Sequence, residues 1–184
     1  MVIRGGTVVN AAEISKCDVG IKDGRIVALG EKLDAGAEEI DATGKYVMPG
    51  GIDSHCHIDQ RSSGGGRNSE TFESGTRSAA CGGTTTIICF AAQEKGELLT
   101  PVVEEYHDKA KQSCIDYSFH LIISDPSDEV MHEEVPKLIK AGHRSLKLFM
   151  TYPRNRLNDA EILRVLEVAK LNQALVCVHA ENHD

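Results

Sequence analysis

Positive charge is in short supply in this sequence. Lysine and arginine number 20 against 28 aspartates and glutamates, a formal net charge of -8. Nucleic acid and anionic membrane surfaces both favour a basic face, so this balance speaks against either as a partner. No apolar run approaches the 18 residues of a membrane span, and the first residues do not read as a secretory leader. Cys-x-x-Cys pairs are missing too. The six cysteines (Cys17, Cys56, Cys81, Cys89, Cys114, Cys177) are scattered, and several lie inside apolar runs such as Ile87-Ile88-Cys89-Phe90. Cysteines placed this way act as small hydrophobes in a reducing compartment, not as a disulfide frame. The glycine-rich segment Gln60–Asn68, with Gly64-Gly65-Gly66, lacks the Gly-Lys-Ser/Thr of a phosphate loop, which argues against cradled phosphate. These absences leave a soluble, acidic, cytoplasmic protein as the expectation.

What is present is organised in two parts. With 184 residues and 41% hydrophobic content, the chain can build one sizeable core, or a small domain and most of another. Residues 1–48 hold short β-rich runs at Val2–Val9, Asp18–Ile21, Arg25–Leu29 and Glu39–Asp41, and Lys22-Asp23-Gly24-Arg25 is suited to a tight hairpin turn. From residue 49 to 184 the pattern alternates strand and helix. Strand candidates are Val47–Ile58, Thr84–Phe90, Tyr117–Ser124, Ser145–Met150 and Leu175–His179, spaced about thirty residues apart, the size of a βα unit. Thr100 is the expected cap of a helix with Pro101 at its first position. Asn158 and Glu161 form a capping box opening Ile162–Leu171, Ala141-Gly142 ends the helix before it, and Pro136 is expected to split that helix. Alternating elements imply an α/β fold with a parallel sheet, open or closed into a barrel. Periodicity does not choose between these.

Three residue groups stand out against this frame. Asp53-Ser54-His55-Cys56-His57 ends the first long strand candidate. Side chains two apart on a strand share a face, so His55 and His57 could hold one metal ion, with Cys56 turned to the core. Lys147 interrupts the apolar strand Ser145–Met150. Burial favours a neutral amine, which reacts with carbon dioxide to give a carbamate, an anionic donor able to bridge two cations. His179 closes Leu175–His179. Each has an ordinary reading as well: a packing pair, a lysine reaching back to solvent, a satisfied polar strand end. Their common position towards the C-terminal ends of the first, fourth and fifth strands is where parallel α/β folds place active-site groups, and together they point to a binuclear metal site.

Pro49-Gly50-Gly51-Ile52-Asp53-Ser54-His55-Cys56-His57, Gly82-Gly83-Thr84-Thr85-Thr86, Leu146–Tyr152 and Val178-His179-Ala180-Glu181-Asn182 closely resemble the dihydropyrimidinase/D-hydantoinase family, in order and over the whole chain. The resemblance implies a (β/α)8 TIM barrel beside a small β-sandwich. This chain would supply the first five barrel strands and the N-terminal part of the sandwich. It implies that His55 and His57 bind one of two divalent cations, most simply zinc, that carboxylated Lys147 bridges both, and that His179 binds the second. Tyr152 resembles the family's tyrosine that hydrogen-bonds the developing oxyanion, although a packing tyrosine with a wet hydroxyl is the alternative. Loops at Gln60–Asn68, Gln93–Leu99 and Thr151–Leu157 would shape the pocket for a small cyclic amide, or the first would be a plain linker. His107, His120, His132, His143 and His183 match no ligand position and are treated as surface or packing residues.

The implied reaction is metal-assisted hydrolytic ring opening of dihydropyrimidines or hydantoins to N-carbamoyl amino acids. Dihydroorotases carry an arginine two residues after the second histidine, where this chain has Asp59, which disfavours that activity; allantoinase stays open. Family members also use a histidine on strand six and an aspartate on strand eight, beyond residue 184. The 184-residue chain alone is therefore expected to be inactive, and a tetramer is the implied assembly of the complete enzyme. A non-catalytic dihydropyrimidinase-related assembly protein and one half of a split enzyme are the other readings.

Overall fold

The computed structural model describes residues 1–61 and 66–183. The chain forms two compact units, Met1–Gly50 and the residues from Gly51 onward.

The first unit is a β-sheet of β1 (Val2–Val9), β2 (Ile14–Lys22), β3 (Arg25–Gly30), β4 (Glu39–Asp41) and β5 (Tyr46–Val47). β1–β2 and β2–β3 pair antiparallel, whereas β4 and β5 both lie parallel to β1, so the sheet is mixed. The hairpin turn falls where expected. Asp23 and Gly24 take φ of 51° and 72°, the two positive angles that a tight turn between twisted strands requires. Asp18 anchors the unit. Its carboxylate accepts the Gly5 and Leu33 N–H groups at 2.9 and 3.2 Å and the Arg4 guanidinium at 2.8 Å.

The second unit repeats strand and helix. Its elements are β6 (Gly51–Asp53), α1 (Phe72–Cys81), β7 (Thr84–Ala92), α2 (Leu99–Ala110), β8 (Asp116–Ile122), a π-helical turn (Val130–Glu134) running into α3 (Val135–Lys140), β9 (Ser145–Phe149), α4 (Asp159–Leu171) and β10 (Leu175–His179). The strands lie in chain order, β6 to β10, and every pairing is parallel. Helices connect them, as parallel strands need a crossover. The core is one cluster on the helix side of the sheet, holding Cys89, Phe119, Leu121, Leu146 and Leu148 from the strands and Phe72, Tyr106, Leu138 and Val165 from the helices. Among the described residues no helix is long and apolar enough to cross a membrane.

Several local expectations are met and others are corrected. Asn158 caps α4, with Glu161 closing the capping box. Gly142, at φ 115°, follows the end of α3. Pro136 marks a division of the helical run, as expected: it stands in the first turn of α3, directly after the π-helical turn, where the helix changes from π to α without leaving helical backbone angles. α1, with its Thr71/Ser74 capping box, had no clear sequence signal, because serine replaces the usual glutamate. The long candidate Val47–Ile58 is two short pieces, β5 and β6, and strand pairing ends at Asp53. Thr100 is not the cap of α2. The helix starts at Leu99, two residues before the expected Pro101, and Glu134 of the π-helical turn accepts the Leu99 and Thr100 N–H groups at 2.6 and 2.9 Å.

Two outcomes follow from these contacts. Glu134→Ala strands buried donors at a helix start and should destabilise the chain by about 1–3 kcal/mol, while Thr100→Ala stays within about 0.5 kcal/mol, both read by denaturant unfolding. The two backbone N–H groups, followed by Arg4, hold the Asp18 carboxyl below its ordinary value. A carboxyl depressed by folding stabilises the native state above its unfolded pKa, and that contribution fades as pH falls through the folded one. Asp18→Asn should therefore lower stability at pH 7 and flatten the loss of stability below about pH 4.

Candidate active site

Alternation along each strand divides the parallel sheet into two faces. The face carrying Cys89, Phe119, Leu121, Leu146 and Leu148 is packed against helices. The residues between them, Phe90 on β7, His120 on β8, Ser145, Lys147 and Phe149 on β9, and Cys177 and His179 on β10, belong to the other face. The candidate residues from β9 and β10 and the ring beneath the histidine pair are all on this side.

His55 and His57 lie beyond the paired part of β6, so ladder hydrogen bonds do not hold them. Side chains do. The His55 N–H donates to Asp53 Oδ1 at 3.0 Å, and Asn68 Nδ2 donates to the His57 carbonyl at 2.8 Å. Both imidazoles contact Phe90, with ring centroids 4.8 Å away in each case, and lie 5.4 Å from each other. The expected common orientation is thus achieved, but by contact with one aromatic ring and not by strand geometry. His57 Nδ1 is 2.5 Å from Gln60 Oε1, a carbonyl oxygen that can only accept. The proton therefore sits on Nδ1 and leaves the Nε2 lone pair free. Burial first, then repulsion of a second positive charge by His57, Lys147 and His120 in their protonated forms, holds the His55 pKa below its ordinary value. Cys56 turns to the core side, its Sγ 3.4 Å from that of Cys89.

Lys147 is buried, two residues from the end of β9. Its Nζ lies 5.9 Å from the Phe90 ring centre and 5.0 Å from that of Phe149. Phe149 stacks on His179 with centroids 5.7 Å apart and meets Tyr152 edge-on at 5.9 Å. His179 and Tyr152 are themselves 5.1 Å apart. The lysine accordingly lies between two aromatic rings, one carrying His55 and His57, the other carrying His179 and Tyr152. His179 Nε2 donates to Glu181 Oε2 at 2.8 Å, leaving Nδ1 with the lone pair. Tyr152 has φ 69°, a left-handed backbone rare for an aromatic residue, and its carbonyl accepts the Asn155 and Arg156 N–H groups, both at 2.8 Å.

A cleft of about 700 Å³ opens beside these groups, with His57, Gln60, Gln93, Phe149, Tyr152 and Arg154 among its walls. The segments expected to line a pocket do border it, in part. Gln93 is buried and acts as a staple: its Oε1 accepts the Ser124 and Asp125 N–H groups at 3.0 and 3.1 Å, and its Nε2 donates to the Glu97 carbonyl at 2.7 Å. Arg61 reaches Glu97 and Glu105, and Arg67 reaches Asp59 and Glu105, which ties both flanks of the glycine-rich segment to their surroundings. Gly64 and Gly65 lie outside the described residues. Gln60, Asn68, Phe90, Gln93 and His120 carried no periodic or motif signal of their own.

The donor set suits divalent cations. Two imidazoles have a lone pair assigned by their partners, and a buried amine stands between the two groups. Among the described residues no three histidine, cysteine, aspartate or glutamate side chains converge into a ready metal-binding cluster.

The chain matches the model of the amidohydrolase family over residues 46–184. It is 50% identical to a D-hydantoinase of Geobacillus stearothermophilus, across 99% of this chain and 39% of that protein. It is 43% identical to a D-hydantoinase of Ralstonia pickettii, across 100% of this chain and 40% of that one. The crystal structure of a dihydropyrimidinase from Brevibacillus agri NCHU1002 superimposes with a TM-score of 0.94 at 44% identity, covering 100% of this chain and 40% of its own. The chain thus spans about two-fifths of the length of these relatives. With the family model matched across three-quarters of its residues, the chain belongs to the amidohydrolase family.

Proposed function

We propose that the complete protein carrying this chain is a cyclic amidohydrolase that opens hydantoin or dihydropyrimidine rings to N-carbamoyl amino acids. The observation that carries the reading is the arrangement of His55, His57, Lys147, His179 and Tyr152 around Phe90 and Phe149, next to the cleft. The hydantoinase and dihydropyrimidinase relatives at 43–50% identity support the substrate class. The five parallel strands would be the first part of a (β/α)8 barrel, and the mixed sheet of the first unit part of a β-sandwich. A tetramer in the cytoplasm completes the proposal.

In this reading His55 and His57 would hold one divalent cation and His179 a second, and Lys147, carboxylated on Nζ, would supply an anionic oxygen donor. When bound, the cations, zinc in the simplest case, supply Lewis acidity for hydrolysis at neutral pH. The chain's own groups do the rest. The cleft takes the flat ring, and Phe149 limits the water around it. Tyr152 directs its hydroxyl at the carbonyl oxygen that becomes negative as water adds. The ring C–N bond then breaks, its nitrogen leaves with a proton, and the carbonyl carbon ends as a carboxylate. The left-handed backbone at Tyr152 fixes where the phenol points, which is how an oxyanion donor gains its advantage over solvent.

Two measurements test this. The purified complete protein should carry divalent cations, open hydantoin or dihydrouracil, lose that activity to a chelator and regain it with zinc; a metal-replete protein that opens neither ring would refute the assignment. Tyr152→Phe should lower kcat by about 10²–10³ with KM little changed. Equal losses in kcat/KM through KM alone would make Tyr152 a binding residue instead.

A further inference from the structure

His120 has no place in the proposed ligand set, yet it is buried on the same face of the sheet as Phe90 and Lys147. Its ring is tilted against Phe90 at 5.0 Å, on the ring that also carries His55 and His57. Nε2 lies 2.8 Å from the Ser54 carbonyl oxygen, and Nδ1 lies 2.6 Å from Ser145 Oγ. The carbonyl can only accept, so Nε2 carries the proton; in the neutral ring Nδ1 then accepts from the Ser145 hydroxyl. Ser145 in turn is 3.9 Å from Cys177 Sγ.

The position of these partners matters more than their number. Ser54 C=O and His55 N–H belong to one peptide group. His120 takes the C=O end of that group and Asp53 Oδ1 takes the N–H end. A peptide plane pinned at both ends has a fixed orientation, and the direction of the His55 side chain follows from it. This happens one residue past Asp53, where β6 stops pairing with β7 and the ladder no longer supplies that restraint. Ser145 and Cys177 each precede a candidate ligand, Lys147 and His179, by two residues on the same strand face. The four residues thus form a polar layer across β8, β9, β10 and the segment after β6, directly beneath the candidate ligands.

We propose that His120 is a positioning residue for the metal site: it sets the Ser54–His55 peptide and, through Ser145, couples that peptide to the strand carrying Lys147. The inference rests on the proposed metal-binding role of His55, His57, Lys147 and His179. His120 touches neither cation nor substrate in this scheme. Groups that orient ligands from behind typically govern metal affinity by 10–100-fold when removed.

The test uses the complete protein, zinc-loaded, in four forms: unchanged, His120→Phe, His120→Gln and Ser145→Ala. His120→Phe keeps a ring against Phe90 but removes both hydrogen bonds. His120→Gln keeps an N–H able to reach the Ser54 carbonyl. Zinc affinity is read by competition with a graded chelator, and thermal midpoints are read on the metal-free forms. His120→Phe should bind zinc about 10–100-fold more weakly, His120→Gln should recover most of that loss, and Ser145→Ala should lose about two- to ten-fold. A lower thermal midpoint with zinc affinity unchanged would reduce His120 to a packing residue and overturn the proposal. If His120→Phe does not fold, Ser145→Ala decides, and unchanged affinity there has the same meaning. Should the unchanged protein take up no zinc, the metal-site reading itself falls and this inference with it. Uptake by the unchanged protein alongside indistinguishable variants removes the inference alone.

Discussion

A parallel sheet covered by helices has to present carbon to them along its whole length, and strand geometry permits that on only every second residue. The rest of this structure follows from that constraint. Cys89, Phe119, Leu121, Leu146 and Leu148 fill the helix side. The intervening positions are released from the core and carry His120, Ser145, Lys147, Cys177 and His179. Chemistry is concentrated on one face because the other face is committed to burial.

The same constraint explains why the histidine pair needs separate support. Backbone pairing holds Lys147 and His179, which lie inside β9 and β10. It does not reach His55 and His57, which follow the last paired residue of β6. There the chain is held by Asp53, Gln60 and Asn68, with Phe90 as the common surface for both rings. A loop position so restrained can match the precision of a strand while allowing the histidines to approach from beyond the sheet edge.

The sequence revealed most where one residue carries its own signal. Asp23-Gly24, the Asn158/Glu161 capping box and the lysine inside an apolar strand are local, and each lies where its chemistry pointed. What failed to show were relations between distant residues. The cap of α2 comes from Glu134, 34 and 35 residues away from the groups it serves, and Thr100 was the plausible local substitute. The end of β6 could not be read from Val47–Ile58, because pairing depends on partners on another strand. Phe90 looked like one more apolar strand residue, and His120 like one more histidine without a motif. Their roles arise only when β7 and β8 bring them under a segment thirty or more residues earlier in the chain.

Tyr152 shows what such a site asks of the backbone. A phenylalanine-sized side chain at φ 69° is held in a region that costs a non-glycine residue about 1–2 kcal/mol and glycine almost nothing. A selection that rewarded only thermal resistance would favour glycine or asparagine at this position, and every such winner would lack the phenol. On the role proposed for Tyr152 that cost serves turnover and not folding, and a stabilised descendant of this protein would have to find its gains elsewhere.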